Sequence, residues 1–331
     1  MPIVSIIIPS YNEQATIRIV LDALYAQTYP HNEMEIVIAD GMSSDRTREE
    51  IAAFQQTHPE LSVVVVDNPK RIIPAGLNQA IAVAKGETIL RMDAHSTPRP
   101  DYVERCVAAL EQGLGDSVGG VWEIRPGGPG WMARGIAMAA AHPLGVGDAR
   151  YRYTDHAQSV DTVPFGAFRR ALLARIGGFD ESLLTNEDYE FNVRVRQSGS
   201  KIWLDPAIRS AYFARATLKA LARQYWRYGY WKARMLRRYP HTIRWRQAIP
   251  PMFVLSLLAW SFLGLATPLG WWILATEISV YMIMLIAVGA QMAVKKGDPA
   301  LVISIPMAIA TMHLTWGAAL WWSTLKSLVG R

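Results

Sequence analysis

Cysteine is nearly absent. Cys106 stands alone in 331 residues, which excludes a disulfide framework and any cysteine-based zinc cluster; its ordinary role is that of a small buried apolar residue. Charge is also scarce, at 19% of residues against 51% hydrophobic, with 12 Trp. Disordered, collagen-like and coiled-coil chains are poor in large apolar residues or rich in charge, so all three are excluded. Two glycine motifs are missing as well: no GxGxxG follows the first strand-like run, and no GxxxxGK[ST] occurs anywhere. Their absence weakens a dinucleotide dehydrogenase and a P-loop NTPase. No repeat of solenoid period and no low-complexity tract is present, only a Gly-Pro-rich bend at 125–130.

The net charge of +6 conceals three different segments. Residues 1–205 carry 19 basic and 26 acidic side chains, residues 206–246 carry 11 basic and none acidic, and residues 247–331 carry four basic and two acidic. These boundaries set the expected organisation: a catalytic domain over 1–205, a basic amphipathic membrane-interface collar over 206–246, and a transmembrane region of about three helices over 247–331. The runs 249–270, 271–293 and 299–322 hold one charge between them, Glu277, and each approaches the roughly 20 residues that cross a bilayer core. Trp260, Trp271, Trp272, Tyr281, Trp316, Trp321 and Trp322 mostly sit near the ends of these runs, where amphipathic rings favour the lipid–water boundary. The collar, with Arg237, Arg238, Arg244 and Arg246, should stay cytoplasmic, as should Lys295 and Lys296. Three crossings would leave Lys326 and Arg331 outside, against the same rule. Ser5-Ile6-Ile7-Ile8 runs at once into Pro9 with no basic segment before it, so it does not read as a secretory leader. The expected place is a plasma (inner) membrane, with residues 1–205 on the cytoplasmic side.

Those residues read as alternating strands and helices. Val4–Pro9, Glu35–Ala39, Leu61–Val66 and Thr88–Met92 are short Ile- and Val-rich runs suited to central strands of a parallel sheet. Between them, Glu13–Ala26, Asp45–Gln56 and Pro74–Ala84 have helical spacing. The pattern gives a doubly wound, mostly parallel α/β sheet, in which ligands bind beyond the carboxyl ends of the strands. There the sequence places Pro9-Ser10-Tyr11-Asn12-Glu13, then Asp40-Gly41-Met42-Ser43-Ser44-Asp45, then Arg91-Met92-Asp93-Ala94-His95. Asp45 is expected to cap the next helix, and Gly41 and Ser43 to shape their loop.

VSIIIPSYNE, ADGMSSDRT, LRMDAH and TNEDYEFNVR, in this order, resemble the four signatures of the family 2 glycosyltransferases of GT-A fold, over roughly residues 3–235. The RMDAH form and the hydrophobic tail are similar to the succinoglycan-type exopolysaccharide glucosyltransferases. The resemblance implies a metal-dependent hexosyltransferase using a nucleotide-diphosphate sugar, with a UDP-sugar favoured. It implies that Pro9, Tyr11 and Glu13 line the nucleotide slot with Asp40, whose carboxylate can accept from a nucleobase N–H. It also makes Asp188 the base for the acceptor hydroxyl, with Glu187 and the loop at Gly166 on the acceptor side.

Elementary chemistry agrees with part of this. A nucleoside diphosphate leaves readily when a divalent ion neutralises its growing charge, and a carboxylate at a strand end, Asp93, suits Mn²⁺ or Mg²⁺. His95 stands where the family carries a second aspartate; it either binds the metal, which would favour Mn²⁺, or touches a phosphate. Arg71 lies near the same edge, as a phosphate contact or as a solvated residue.

In the collar, Arg215, Lys219, Arg223, Arg227 and Arg234 interleave with Tyr225, Trp226, Tyr228, Tyr230 and Trp231, which suits amphipathic helices on an anionic bilayer. Gln224-Tyr225-Trp226-Arg227-Tyr228 is also a near match to the QxxRW of processive synthases, where Arg227 would hold the diphosphate. Nucleic acid is not an expected partner. The expected acceptor is a polyprenyl-diphosphate-linked saccharide, in exopolysaccharide or cell-envelope glycan synthesis. A processive polysaccharide synthase and a polyprenyl-phosphate glycosyltransferase remain alternatives, and oligomerisation is open.

Overall fold

The structure, a computed structural model, describes residues 3–329; Arg331, one of the two residues in the orientation conflict, lies outside them. The chain divides into two compact units, Met1–Glu123 with Tyr153–Tyr212, and Ile124–Arg152 with Phe213–Arg331. This division differs from the boundaries expected at 205 and 246, because residues 124–152 join the C-terminal helices.

The first unit begins with β1 (Val4–Ser10), α1 (Ile17–Tyr25), β2 (Met34–Asp40), α2 (Thr47–Thr57), β3 (Ser62–Asp67), α3 (Ile73–Val83) and β4 (Thr88–Arg91). It continues through β5 (Thr97–Pro98), α4 (Tyr102–Glu111) and β6 (Ser117–Arg125). The chain then enters the second unit with α5 (Trp131–Ala140) and α6 (Pro143–Val146). It returns as β7 (Gln158–Ser159), β8 (Ala167–Arg169), α7 (Ala171–Ile176), α8 (Glu187–Gln197) and β9 (Ile202–Phe213).

Strand order is β3-β2-β1-β4-β8-β6-β9-β5, with β7 beside β9. The pairs β1–β2, β1–β4 and β2–β3 are parallel, while β8 runs antiparallel to β4 and β6. β1 and β2 are buried on both faces, as their unbroken apolar runs require. Ile17, Val20, Leu21 and Leu24 bury one stripe of α1 against this core. That helix starts four residues later than its spacing suggests, because Glu13 first closes a turn in which its carbonyl accepts from the Thr16 and Ile17 amides.

Order reverses at β1: the chain proceeds to β2 and β3 on one side and to β4 on the other. A crevice at the carboxyl ends of these strands follows from that reversal. Ser10 pairs with Asp40 and Asp40 with Asp67, so three polar residues form a row along that edge.

The second unit contains α5, α6, α9 (Leu218–Arg238), α10 (Trp245–Ala266), α11 (Pro268–Lys296) and α12 (Leu301–Val329). The last three are long and apolar enough to cross a membrane, with mean hydropathies of 1.8, 2.0 and 1.5. α9 buries Leu221, Gly229, Lys232, Ala233 and Met235. A β-carbon on Gly229 would lie 2.3 Å from the Trp316 carbonyl oxygen, so the collar helix packs directly on α12.

Candidate active site

Non-glycine residues with positive φ among those described are Asn12 (55°), Met42 (60°), Arg71 (56°), Phe165 (50°) and Asn186 (68°). They fall in the loops after β1, β2 and β3, just before β8, and just before α8. Left-handed backbone at a side-chain-bearing residue costs free energy that a well-packed surround must offset, and it concentrates at functional sites. Tyr102 supplies one such constraint, its hydroxyl donating to the Phe165 carbonyl at 3.2 Å.

At the end of β2, Asp40 is fully buried. Its carboxylate accepts from the Ser43 amide at 3.0 Å, the Ser43 hydroxyl at 2.6 Å and Arg48 Nε at 2.6 Å. Through these three bonds Asp40 holds its own loop and ties it to α2. Arg48 also donates to Asp67 at 2.6 Å, and Asp67 is the exposed carboxylate of the row. Gly41 leaves room for the Tyr11 ring, which a β-carbon would approach to 3.2 Å. Tyr11 is exposed, and the Arg71 guanidinium lies 6.0 Å from its ring centre, within cation–π range. Pro9 and Ala39 approach α3 closely: a β-carbon on Gly76 would lie 3.4 Å and 3.5 Å from theirs. Asp45 accepts from the Thr47 amide at 3.0 Å at the start of α2 and from the Gln14 amide at 3.1 Å. Burial opposes ionisation of Asp45, but these hydrogen bonds outweigh it and hold the carboxyl below its usual range.

Glu13 accepts from the Thr16 hydroxyl and faces His95 Nδ1 at 3.3 Å. Burial would raise its carboxyl, yet the contacts with His95 and Thr16 prevail and lower it. His95 is therefore turned toward the first loop, joining the ends of β1 and β4.

Arg91 is the centre of the site, and sequence reasoning passed over it. Its Nη2 donates to Asp93 Oδ1 at 3.2 Å and to Glu187 Oε1 at 3.0 Å, and its Nη1 lies 3.7 Å from Asp188 Oδ2. Arg91 and Glu187 side chains are 8% and 7% exposed, whereas Asp93 and Asp188 are 28% and 43% exposed. One buried guanidinium thus gathers three carboxylates and leaves two of them reachable from solvent. Burial pulls the Arg91 pKa down, but the three carboxylates reverse this and raise it. Burial pushes the Glu187 carboxyl up to about 7, Arg91 opposing and Asp188 and Asp93 adding to the rise. A signal for Arg91 was present: an arginine closing the buried strand β4, two positions before Asp93, needs a carboxylate partner.

Gly166 sits behind this cluster, its carbonyl accepting from the Arg91 amide at 3.2 Å. A cavity lined by Arg91, Ser117, Gly166, Asp188 and Asn192 opens there. Asp188 Oδ1 accepts from the Tyr189 amide at 2.7 Å, and the Tyr189 hydroxyl reaches Asp161 at 3.4 Å. Asp93 and Asp188 are thereby brought together with Glu187 and Gly166; Tyr11, Glu13, Arg71 and His95 occupy the adjoining loops, and Asp40 ends β2. Arg227 is an exposed residue of α9, in the second unit.

A mostly parallel sheet of this order, with a carboxylate-lined crevice at its strand ends, is a GT-A-like nucleotide-sugar fold. The chain belongs to glycosyl transferase family 2, whose family model matches residues 5–177, and it is an enzyme of the EC 2.4 class. It is 31% identical over 319 residues to the succinoglycan biosynthesis protein ExoA of Rhizobium meliloti, covering 96% of this chain and 93% of that one. It is 26% identical, over 95% of this chain and 94% of the relative, to a dolichyl N-acetyl-alpha-D-glucosaminyl phosphate 3-beta-D-2,3-diacetamido-2,3-dideoxy-beta-D-glucuronosyltransferase of Methanococcus voltae. Among solved structures, the mannosyltransferase PcManGT of Pyrobaculum calidifontis, in complex with GDP-Man and Mn²⁺, aligns with a TM-score of 0.62 at 23% identity. That alignment covers 100% of this chain and 88% of that chain. S. aureus TarS 1–349 in complex with UDP-GlcNAc aligns at 0.52 and 15% identity, over 100% and 93% of the two chains.

Proposed function

We propose that the protein is a membrane-anchored, inverting glycosyltransferase that moves one sugar from a nucleotide-diphosphate donor, a UDP-sugar first among candidates, to a polyprenyl-diphosphate-linked saccharide. The observation that carries this is the Arg91 fork, which joins Asp93 and Asp188 in one crevice. Transfer with inversion needs charge neutralisation at the diphosphate and a base beside the incoming hydroxyl, on opposite sides of the anomeric carbon.

Asp188 supplies the base. Its carboxylate is the most exposed of the three, and the Tyr189 amide and Arg91 fix its direction. Asp93 anchors the cation, Mn²⁺ or Mg²⁺, with His95 at its side against Glu13. Among the described residues no group of three or more His, Cys, Asp or Glu could hold a metal alone. This fits an ion completed by substrate phosphates, the usual arrangement for one bound through one or two carboxylates. Bound there, the ion would act as a Lewis acid on the departing diphosphate. Tyr11, with Arg71 beside it, offers a face for the nucleobase, and Pro9 and Glu13 border the same slot. Glu187 and Gly166 support the acceptor side, and Arg227 is a candidate diphosphate contact from α9.

A lipid-linked acceptor agrees with the apolar helices of the second unit, and the Methanococcus relative's name includes a dolichyl-linked sugar phosphate. The active site would face the cytoplasm at the plasma membrane, in exopolysaccharide or envelope glycan synthesis. With a radiolabelled donor, Asp188→Asn is expected to abolish transfer while leaving nucleotide binding nearly unchanged. Undiminished turnover in that variant would remove the assignment.

A further inference from the structure

Length and composition mark α10, α11 and α12 alike as membrane spans, but their packing separates them. α10 and α11 form a close hairpin. A β-carbon on Gly270 would lie 2.2 Å from the Gly264 amide nitrogen at its tip. Further from the tip, Ser256 donates to Glu277 at 2.6 Å, and the Phe253 and Tyr281 rings lie 4.5 Å apart. The base of the hairpin is therefore the start of α10 and the end of α11.

The first turn of α12 and a stretch past its middle both meet that base. Its first residue, Leu301, follows Lys296 of α11 after only Gly297–Ala300. Gly289, near the end of α11, would bring a β-carbon 2.9 Å from the Val302 carbonyl. Near its middle, His313 Nδ1 lies 3.0 Å from the Tyr281 hydroxyl of α11; further along, Gly317 would place a β-carbon 2.6 Å from the Pro250 carbonyl, and Trp321 Nε1 donates to the Pro251 carbonyl at 2.7 Å. Pro250 and Pro251 lie in the opening turns of α10. A helix of 29 residues is about 43 Å long. Had α12 run alongside α11 to the tip, Trp321 would have met the far half of α10 instead.

The partners on its remaining faces are α5, α6 and the basic helix α9. Gly135 of α5 would bring a β-carbon 2.2 Å from the Ser304 side chain, and His313 Nε2 donates to the Leu144 carbonyl at 2.9 Å. Arg237, in the last turn of α9, donates to the Ser323 carbonyl at 3.2 Å. α9 and α12 run in the same direction there, since Gly229 meets Trp316 and Arg237 meets Ser323. Six residues separate Arg238 from the start of α10, so the last third of α12 is tied to the hairpin's base by this route too. An arginine held at α12 is expensive in hydrocarbon. Within the most apolar window, 44% of α12 is buried by protein, against 6% for α10 and 11% for α11.

We infer that only the α10–α11 hairpin enters the bilayer core, and that α12 lies across the hairpin's base as an interfacial beam, with both of its ends on one side of the membrane. The surface that meets acyl chains is then the hairpin, where Leu258, Phe262, Leu265, Trp272 and Ile283 are exposed, while the partner of α12 is the headgroup layer. The arrangement also removes a conflict with the positive-inside rule, because Lys326 stays on the side of Lys295 and Lys296.

The test uses the full-length protein in membranes, with single cysteines introduced as Lys296→Cys and Lys326→Cys; both lysines are exposed, and native Cys106 is buried. A membrane-impermeant maleimide is expected to label both variants in inverted vesicles and neither in right-side-out ones. Labelling of the two from opposite sides, or of Lys326→Cys only after detergent, overturns the inference. A tag appended after residue 331 gives an independent reading. Protease added to inverted vesicles should remove it, and protection there with cleavage from the opposite face would equally overturn the inference.

Discussion

Arg91 and Glu187 are 96 positions apart in sequence, yet the guanidinium of one donates to the carboxylate of the other at 3.0 Å, and both are buried. The contact joins the end of β4 to the first residue of α8. It makes the two sides of the crevice a single mechanical piece. Removing one partner of a buried pair strands the other and costs about 3–5 kcal/mol. Arg91→Met is therefore expected to lower stability by about that amount, measured by urea titration in detergent. Arg91→Lys keeps a charge without the planar fork; it should retain most of the stability but lose turnover.

Glu187 should also make stability pH-dependent. Its folded-state pKa, about 7, is above the ordinary value. A carboxyl so raised contributes stability that is full below its unfolded pKa and lost as pH rises through the folded one. Wild-type protein is expected to lose part of its melting temperature between about pH 5 and pH 7. The neutral isostere Glu187→Gln should show a flatter profile over the same range. Identical slopes for the two proteins would mean that Glu187 is ionised throughout.

The central sheet was legible because β1, β2 and β4 are built around short Ile-, Val- and Leu-rich runs, as strands covered on both faces are. Asp93 and Asp188 were legible through the resemblance of their motifs. The pairing of Asp40 with Arg48 was not legible, because Arg48 sits eight positions away on α2 and no local pattern shows which cation a carboxylate will meet. Membership of α5 in the helical unit was hidden for a similar reason. Its Ala133, Gly135, Ile136 and Ala137 look like any short core helix, and only the approach of Gly135 to Ser304 shows what they cover. Composition likewise could not separate α12 from α10 and α11, since hydropathy records what a helix tolerates and not what lies beside it.

Close helix contact is a testable property of the second unit. At Gly229 a β-carbon would overlap the Trp316 carbonyl region, with backbone on the far side that cannot rotate away. Gly229→Leu is expected to separate α9 from α12 and lower stability by about 1–3 kcal/mol, as overpacking does. The same substitution at Gly113, whose surroundings are open, strains only the local turn. Thermal unfolding of the two variants side by side should rank Gly229→Leu well below Gly113→Leu.

Asp93 and Asp188 share an arginine but should fail in different ways. Asp93 is expected to hold the cation that grips the diphosphate, so Asp93→Asn should weaken metal-dependent nucleotide binding, by about ten-fold or more if one charge-assisted ligand of roughly 1.5–3 kcal/mol is lost. EDTA should reproduce that loss in wild-type protein and add little in the variant. Asp188→Asn should leave metal-dependent binding intact and remove only turnover. Isothermal titration with UDP and Mn²⁺, beside the transfer assay, separates the two. If Asp93→Asn binds the nucleotide as wild type does and still responds to metal, the cation is held elsewhere, and Arg91 gathers the carboxylates for structure alone.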